Sequence, residues 1–281
     1  MKIPFHKLHG AKNDFLLTFA ADVPLTDLQE LAVAICNRYT GVGADGWMLI
    51  DPTEVPGDES GFDATIRLFN SDGSEPELSG NGTRCAAALL ALADPDAATF
   101  RIRTGAGIKP LRIVSRHGLE WQFEMNMGHI RVLDLHATVQ GQDAVIVDAG
   151  NPQCAIFVDD FHLDWRSLGA NIERDGRFPN RTNVSFIRPV NRHTIDVHFW
   201  ERGAGETNSS GTGSTGAACA AIARGFAESP VTVLTPAGPL VLRFEDGAHL
   251  TGPAEYIASG VFHHGKLGGD DLQRPSGREA S

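Results

Sequence analysis

The sequence predicts an α/β (α+β) chain built as two similar domains, and three observations carry that reading. A segment recurs internally, each copy runs from a strand-like stretch into an Ala-rich helix, and 281 residues is about the length of two average domains. The repeat is Ser79-Gly80-Asn81-Gly82-Thr83-Arg84-Cys85-Ala86-Ala87 against Ser210-Gly211-Thr212-Gly213-Ser214-Thr215-Gly216-Ala217-Ala218. From 79 to 210 the offset is 131 residues. At the same offset Ile66 to Asn70 lies over Val197 to Glu201, and Glu75 lies over Glu206. Self-similarity without a gap over such a span is the signature of a duplicated unit. Two copies of one unit place the natural ligand site in the crevice between them.

Each copy reads in the same order. The β-rich runs Thr65 to Phe69 and Thr194 to Trp200 lead into polar turns, then Ser-Gly-x-Gly, then the Ala-rich helix. Further strand-like stretches are Phe15 to Phe19, Trp47 to Ile50, Ala98 to Ile102, Leu111 to Val114, Trp121 to Met125, Ala144 to Val147, Ala155 to Val158, Val231 to Leu234 and Leu240 to Phe244. Leu25 to Arg38 has helical spacing. Asp51 to Gly61 and Ile172 to Thr182 read as Pro-, Gly- or charge-rich loops. These elements predict domains at 1–128 and 129–254, joined near Gly128, with a final strand at about 255–263 returning to the first domain. The polar stretch His264 to Ser281 lacks periodicity and is expected to be a disordered tail.

Composition excludes several classes. Lys plus Arg is 24 against 35 Asp plus Glu, a net charge of −11, with no basic stripe. A phosphate-backbone binder concentrates positive charge, so no nucleic-acid partner is expected. The longest apolar run, Ala86 to Ala93, is far short of the roughly 20 residues that span a bilayer, so no membrane partner is expected either. The segment MKIPFHKLHGAKND has no apolar signal core. The four cysteines, Cys36, Cys85, Cys154 and Cys219, form no CxxC pair. That pattern predicts no disulfide framework and a reducing, cytoplasmic location.

Ser-Gly-x-Gly ahead of a helix has a specific physical use. Glycines admit a ligand close to the backbone, and the free N–H groups of the first turn point at an anion. Two such starts facing one crevice would grip a carboxylate or stabilise a developing enolate. One copy alone would read as an N-cap and a tight turn; matched copies favour a site. Asn13, Asn70, Asn151 and Asn183 recur in turn-like settings, where each singly is a turn residue and together they offer neutral donors and acceptors. Glu201-Arg202 ends the second β-rich run. The arginine would bind a carboxylate bidentately and the glutamate would orient or deprotonate a neighbour, unless the two are a surface ion pair. His6, His9, His193 and His198 lack HExxH spacing and no metal is assigned. His198 alternates with apolar neighbours and reads as a side chain on a strand's wet face. GTGSTG at Gly211 is a weak dinucleotide fingerprint, and its duplicate at Gly80 argues for a symmetric small-ligand site instead.

HGAKNDF (His9 to Phe15), GVGADG (Gly41 to Gly46), RLFNSDGSEPELSGNGTRCAA (Arg67 to Ala87), DAGNP (Asp148 to Pro152), FPNRTN (Phe178 to Asn183) and ERGAGET with SGTGSTGAA (Glu201 to Ala218) together resemble the diaminopimelate epimerase family. The resemblance extends to about Gly260. It implies two pseudo-symmetric domains, each a mostly antiparallel sheet wrapped around a central helix. It also implies a cofactor-independent isomerase that inverts the α-carbon of a small amino acid, LL-2,6-diaminopimelate going to the meso form, and a homodimer. In that family two cysteines, one per domain, face each other across the substrate, one removing the α-proton and the other delivering one. Here those positions are Ser79 and Ser210, Gln153 stands where a histidine assists the first cysteine, and Gly46 replaces a polar substrate contact of some members. The matching substrate-gripping positions are Asn13, Asn70, Gly80, Asn81, Asn151, Asn183, Glu201, Arg202, Gly211 and Thr212.

A free thiol titrates near 8.5, and a serine hydroxyl is several units less acidic at about 1.4 kcal/mol per unit. Serine therefore needs a partner base. Glu201 is the candidate beside Ser210, and Gln153 cannot serve Ser79. Cys85 and Cys219 lie within the Ala-rich helices and read as core, which leaves Cys154, next to Gln153, to be placed. Three readings stay open: an amino-acid epimerase running on serines or an unrecognised base, an isomerase or lyase of this fold using a carboxylate or lysine base on a different, more acidic substrate, and a non-catalytic binder of a dicarboxylic amino acid.

Overall fold

The computed structural model describes residues 1–52 and 61–265. Most of the loop expected at Asp51 to Gly61 and all but the first two residues of the tail expected from His264 lie outside the described residues. The first half runs β1 (Lys2–Gly10), β2 (Asn13–Phe19), α1 (Leu28–Cys36), β3 (Gly46–Pro52), β4 (Ala64–Asn70), α2 (Gly80–Ala93), β5 (Thr99–Thr104), β6 (Gly107–His117) and β7 (Glu120–Gly128). The second runs β8 (Arg131–Val139), β9 (Gln142–Asp148), β10 (Pro152–Phe157), α3 (Trp165–Glu173), β11 (Asn183–Asn191), β12 (Thr194–Glu201), β13 (Gly205–Thr207), α4 (Gly211–Ala223), β14 (Val231–Thr235), β15 (Gly238–Glu245) and β16 (Gly247–His263).

The pairing pattern repeats. β2 and β3 are parallel, as are β4 and β5; β10 and β11 are parallel, as are β12 and β14. All other pairs are antiparallel. The structure is therefore mixed α and β with a pseudo-symmetric two-domain arrangement. β16 ties the halves together: its first part pairs with β15 and β7, and residues from Glu255 to His263 pair with β1. The β1–β16 pairing closes the sheet of the first half on itself. On this pairing we propose the division into 1–128 with the returning strand and 129–254.

Alternation along the strands explains the layers. In β2, Phe15 and Leu17 face α2 while Leu16 faces α1; in β3, Met48 and Ile50 face α2 while Trp47 and Leu49 face α1. The second half does the same, with Val145, Val147 and Ile187 against α4 and Ile146, Ile156, Val184 and Phe186 against α3. Both central helices are enclosed by sheet, so they are not amphipathic. Ala86, Ala87 and Ala88 in α2, and Ala218, Ala220 and Ala221 in α4, are wholly buried. Alanine supplies the narrow cross-section that such a position demands.

Several expectations need correction. The helix expected at 25–38 is the shorter α1, whose apolar face is Leu28, Leu31, Ala32, Ile35 and Cys36. Ile172 does not begin a loop; it is a buried residue of α3. His198 is not on a wet face, because its ring packs at 4.1 Å on Phe161 and 5.1 Å on Trp165 between centroids. No described helix is long and apolar enough to cross a membrane.

Candidate active site

The two Ser-Gly-x-Gly segments fold alike because serine and glycine each do one job. Ser79 (φ −127°, ψ 117°) and Ser210 (φ −138°, ψ 123°) are extended N-caps of α2 and α4. The Oγ of Ser79 accepts from the N–H of Gly82 and that of Ser210 accepts from Gly213, both at 3.1 Å. A Cβ at Gly213 would lie 2.8 Å from the Ser210 Oγ, so the cap forms only around a glycine. The two helices then meet nose to nose. A Cβ on Gly80 would come within 3.9 Å of the Gly211 Cα, and one on Gly211 within 3.8 Å of the Gly80 Cα. Both helix starts thus aim free N–H groups and positive dipole ends at one place.

The symmetry ends at the hydroxyls. Ser210 Oγ donates to Glu201 Oε2 at 2.9 Å, and Thr207 Oγ1 donates to Glu201 Oε1 at 2.7 Å. Burial raises the Glu201 carboxyl above the ordinary carboxylate range, against the opposing pull of those two hydrogen bonds. Glu201 is therefore not half of a surface ion pair with Arg202. In the first half the equivalent of Glu201 is Asn70, whose amide donates to Ser74 Oγ at 2.9 Å instead. Among the described residues no side chain hydrogen-bonds the Ser79 hydroxyl, while Thr83 Oγ1 donates to the Ser79 carbonyl at 2.7 Å. The second half pairs β13 with β12, bringing Thr207 beside Glu201. The corresponding residues of the first half leave a cleft of about 440 Å³ bordered by Arg67, Glu75, Leu78, Ser79 and Thr104.

The remaining site residues fall into three clusters. Asn81, buried at the start of α2, donates to Asn13 Oδ1 at 3.2 Å and approaches Ser209 Oγ of the other half at 3.5 Å. Asn13 in turn donates to Asp45 Oδ2 at 2.7 Å. Asn151 and Gln153 both reach Thr212 Oγ1 at 3.3 Å, and Gln153 donates to Asn151 Oδ1 at 2.7 Å. Gln153 therefore braces the α4 side and makes no bond to Ser79. Asn183 donates to the Pro152 carbonyl at 3.1 Å and accepts from the Arg202 N–H at 3.0 Å, pinning the starts of β10 and β11 to the turn after β12. The Arg202 guanidinium is exposed and donates to the Asn180 carbonyl at 3.2 Å. At Gly46 a side chain has no room, since a Cβ would lie 2.9 Å from the Phe69 carbonyl.

Cys154 is removed from consideration by strand geometry. It sits one residue after Gln153, so its side chain takes the opposite face of β10, in the core under α3, and burial pushes its thiol up to about 12. Cys85 is fully buried and also pushed up to about 12 by desolvation. Among the described residues no group of three or more His, Cys, Asp or Glu could hold a metal ion.

Sequence reasoning missed three contributors. Thr207 reaches Glu201 only because β13 folds back on β12, for which a three-residue strand gives no period. Arg84 lies fully buried in α2, where an arginine ordinarily signals a wet face. The third is a charge network behind Asn13: Asp14 takes Lys7 at 3.0 Å and Arg38 at 2.7 Å, and Arg38 also reaches Asp45 at 2.8 Å.

Duplicated α/β halves whose central helices meet nose to nose, each capped by a serine, define a pseudo-symmetric two-domain protein with one site at the helix junction. The comparisons with known proteins narrow this. The family model for diaminopimelate epimerase matches residues 5–133 and 145–257. The diaminopimelate epimerase 1 of Nostoc sp. is 37% identical, over 92% of this chain and 99% of that protein. The diaminopimelate epimerase of Pelotomaculum thermopropionicum is 35% identical over 92% and 98%. This chain belongs to the diaminopimelate epimerase family. Among solved structures, a PhzF-family phenazine biosynthesis protein from Bacillus anthracis superposes with a TM-score of 0.70 at 15% identity, over 93% of this chain and 99% of that one. A hydroxyproline epimerase from Agrobacterium vitis superposes with a TM-score of 0.66 at 14% identity, over 92% of each chain. Those two likenesses concern the fold.

Proposed function

We propose that this chain is a cofactor-independent amino-acid epimerase that interconverts LL- and meso-2,6-diaminopimelate, with the Ser210–Glu201 couple as its base. The 2.9 Å bond from Ser210 to Glu201, at the place where two helix N-termini meet, carries the reading. The substrate's α-carboxylate sits against the free N–H groups of α2 and α4, which stabilise charge as it develops there. Asn13, Asn81, Asn151, Asn183, Arg202 and Thr212 hold the rest of the molecule.

The α-C–H bond breaks toward Ser210 Oγ as the Ser210 proton passes to Glu201 Oε2, and the electron pair spreads into the α-carboxylate. Ser79 Oγ–H delivers a proton to the opposite face and is refilled from solvent. Glu201 then releases its proton, which resets the site. A carboxylate with a raised pKa is the stronger base for this purpose. Serine alone would be several units too weak an acid to cycle as a thiol does. We place the enzyme in the cytoplasm, where such a biosynthetic amino acid is made.

The test is conversion of LL-diaminopimelate, followed by chiral chromatography, in the natural protein and in the double variant Ser79→Cys with Ser210→Cys. The expected result is meso product from both, formed faster by the double variant. A folded double variant that forms no more product than the natural protein, with neither active, would overturn the reading.

A further inference from the structure

Arg84 is a buried cation with no anion. Its side chain is wholly inaccessible, and no Asp or Glu pairs with it among the described residues. Nε donates to the Pro253 carbonyl at 3.1 Å and one terminal nitrogen donates to Asn81 Oδ1 at 2.5 Å. The other terminal nitrogen, Nη1, has no hydrogen-bond partner. That nitrogen lies against the first residue of α2: a Cβ built on Gly80 would be 4.0 Å from it, and 3.9 Å from the Gly211 Cα of the facing helix. Removing an arginine from water without a counter-charge is costly, and a merely structural link between α2 and β16 would be made more cheaply by a neutral donor. The guanidinium also settles which way the Asn81 amide points. Because Arg84 has only donors, Oδ1 must turn toward it, and the Asn81 NH₂ is left facing Asn13 and Ser209.

We propose that Arg84 is a positioning residue for the reaction: its charge, set directly behind the meeting helix N-termini, is completed electrostatically by the substrate's α-carboxylate, and its bond to Asn81 presents that amide's donors to the substrate. The inference rests on the epimerase reading for the identity of the anion. The interaction is one of field and orientation, because Gly80 stands between Arg84 and the ligand. It adds to the two helix dipoles at a site of low polarisability, where a fixed charge acts strongly. The guanidinium therefore belongs to substrate binding as well as to folding.

The experiment compares Arg84→Lys and Arg84→Met with the natural protein, using calorimetric binding of LL-diaminopimelate alongside kcat and KM, all normalised to folded protein by circular dichroism and melting temperature. Lysine keeps the charge and loses the forked geometry, so its binding should fall less than about 10-fold. Methionine should weaken binding by at least about 30-fold, with a matching rise in KM and loss of kcat/KM, and the ligand should no longer raise its melting temperature. If both variants are destabilised alike while binding and KM per folded molecule stay unchanged, Arg84 is structural and the proposal fails. Should Arg84→Met not fold, Arg84→Gln, which keeps a donor to Asn81 without charge, takes its place under the same criteria. A natural protein that neither binds nor turns over LL-diaminopimelate would defeat the substrate assignment instead. In that case the three proteins are compared by their melting-temperature response to simple carboxylates, and an unchanged response in the neutral variant defeats the Arg84 proposal by itself.

Discussion

In the proposed mechanism Glu201 and Ser210 carry most of the chemistry, and Ser79 carries what is left. Glu201 must be ionised to accept the proton that Ser210 passes on, and burial holds its carboxyl above the ordinary carboxylate range. The rate should therefore fall as pH drops through that raised value and level off above it. Glu201→Gln removes the acceptor, with an expected loss in kcat/KM of at least about 100-fold and disappearance of the acid limb, read from pH profiles of the two proteins. An unchanged limb in the variant would assign the titration elsewhere. The raised value also means that the folded protein binds the Glu201 proton more tightly than the unfolded chain does. Ionised Glu201 thus costs stability above that range, a strain common to active sites. Much of this was legible beforehand. The internal repeat placed Ser79 and Ser210 at helix starts, and adjacency in the motif pointed to Glu201. The pairing of Glu201 with Thr207 was hidden, because it depends on a three-residue strand folding back. Arg84 was hidden because sequence offers no sign that a helix will be enclosed on every side.

At the scale of elements, legibility followed burial pattern. Strands with apolar residues on both faces, such as β2, β3, β9 and β10, were visible because sheet lies between a central and an outer helix. β1 was not, since KIPFHKLHG carries proline, two lysines and two histidines, yet it forms because β2 and β16 pair with it on both sides. α3 was not, since Ser167, Gly169 and Asn171 weaken its helical signature, and it is held by packing of Trp165 and Ile172 on the sheet. The charge network that fixes Asn13 joins the β1–β2 hairpin to the loop before β3. Burial pushes the Asp14 carboxyl up, but the hydrogen bonds and charges of Arg38 and Lys7 overcome this and leave it below the ordinary range. A carboxylate depressed in the folded state contributes stability that is present above its unfolded value and lost as pH falls through the folded one. Asp14→Asn should cost about 1–2 kcal/mol near neutral pH, discounted because Arg38 is half exposed. Urea midpoints across pH check this: the gap between variant and natural protein should close as the medium becomes more acidic than about pH 3.8. A constant gap would show that the ion pairs contribute nothing.

At the scale of the molecule, a symmetric fold carries an asymmetric site. The two halves repeat strand order, parallel pairs, central helix and serine cap, while among the described residues only the second half bonds its serine hydroxyl to a carboxylate. Duplication explains the shared parts, and the difference between Glu201 and Asn70 at matching positions explains the division of labour. In the proposed mechanism the two faces of the α-carbon therefore exchange protons with solvent by different routes. The direct measurement is proton NMR of LL-diaminopimelate with the protein in D₂O, following the α-proton of substrate and product separately. The α-proton signal should fall while the meso isomer appears carrying deuterium at the inverted carbon, with both changes abolished in Ser210→Ala. Retention of the α-proton at high enzyme concentration, with no meso isomer formed, would contradict the mechanism.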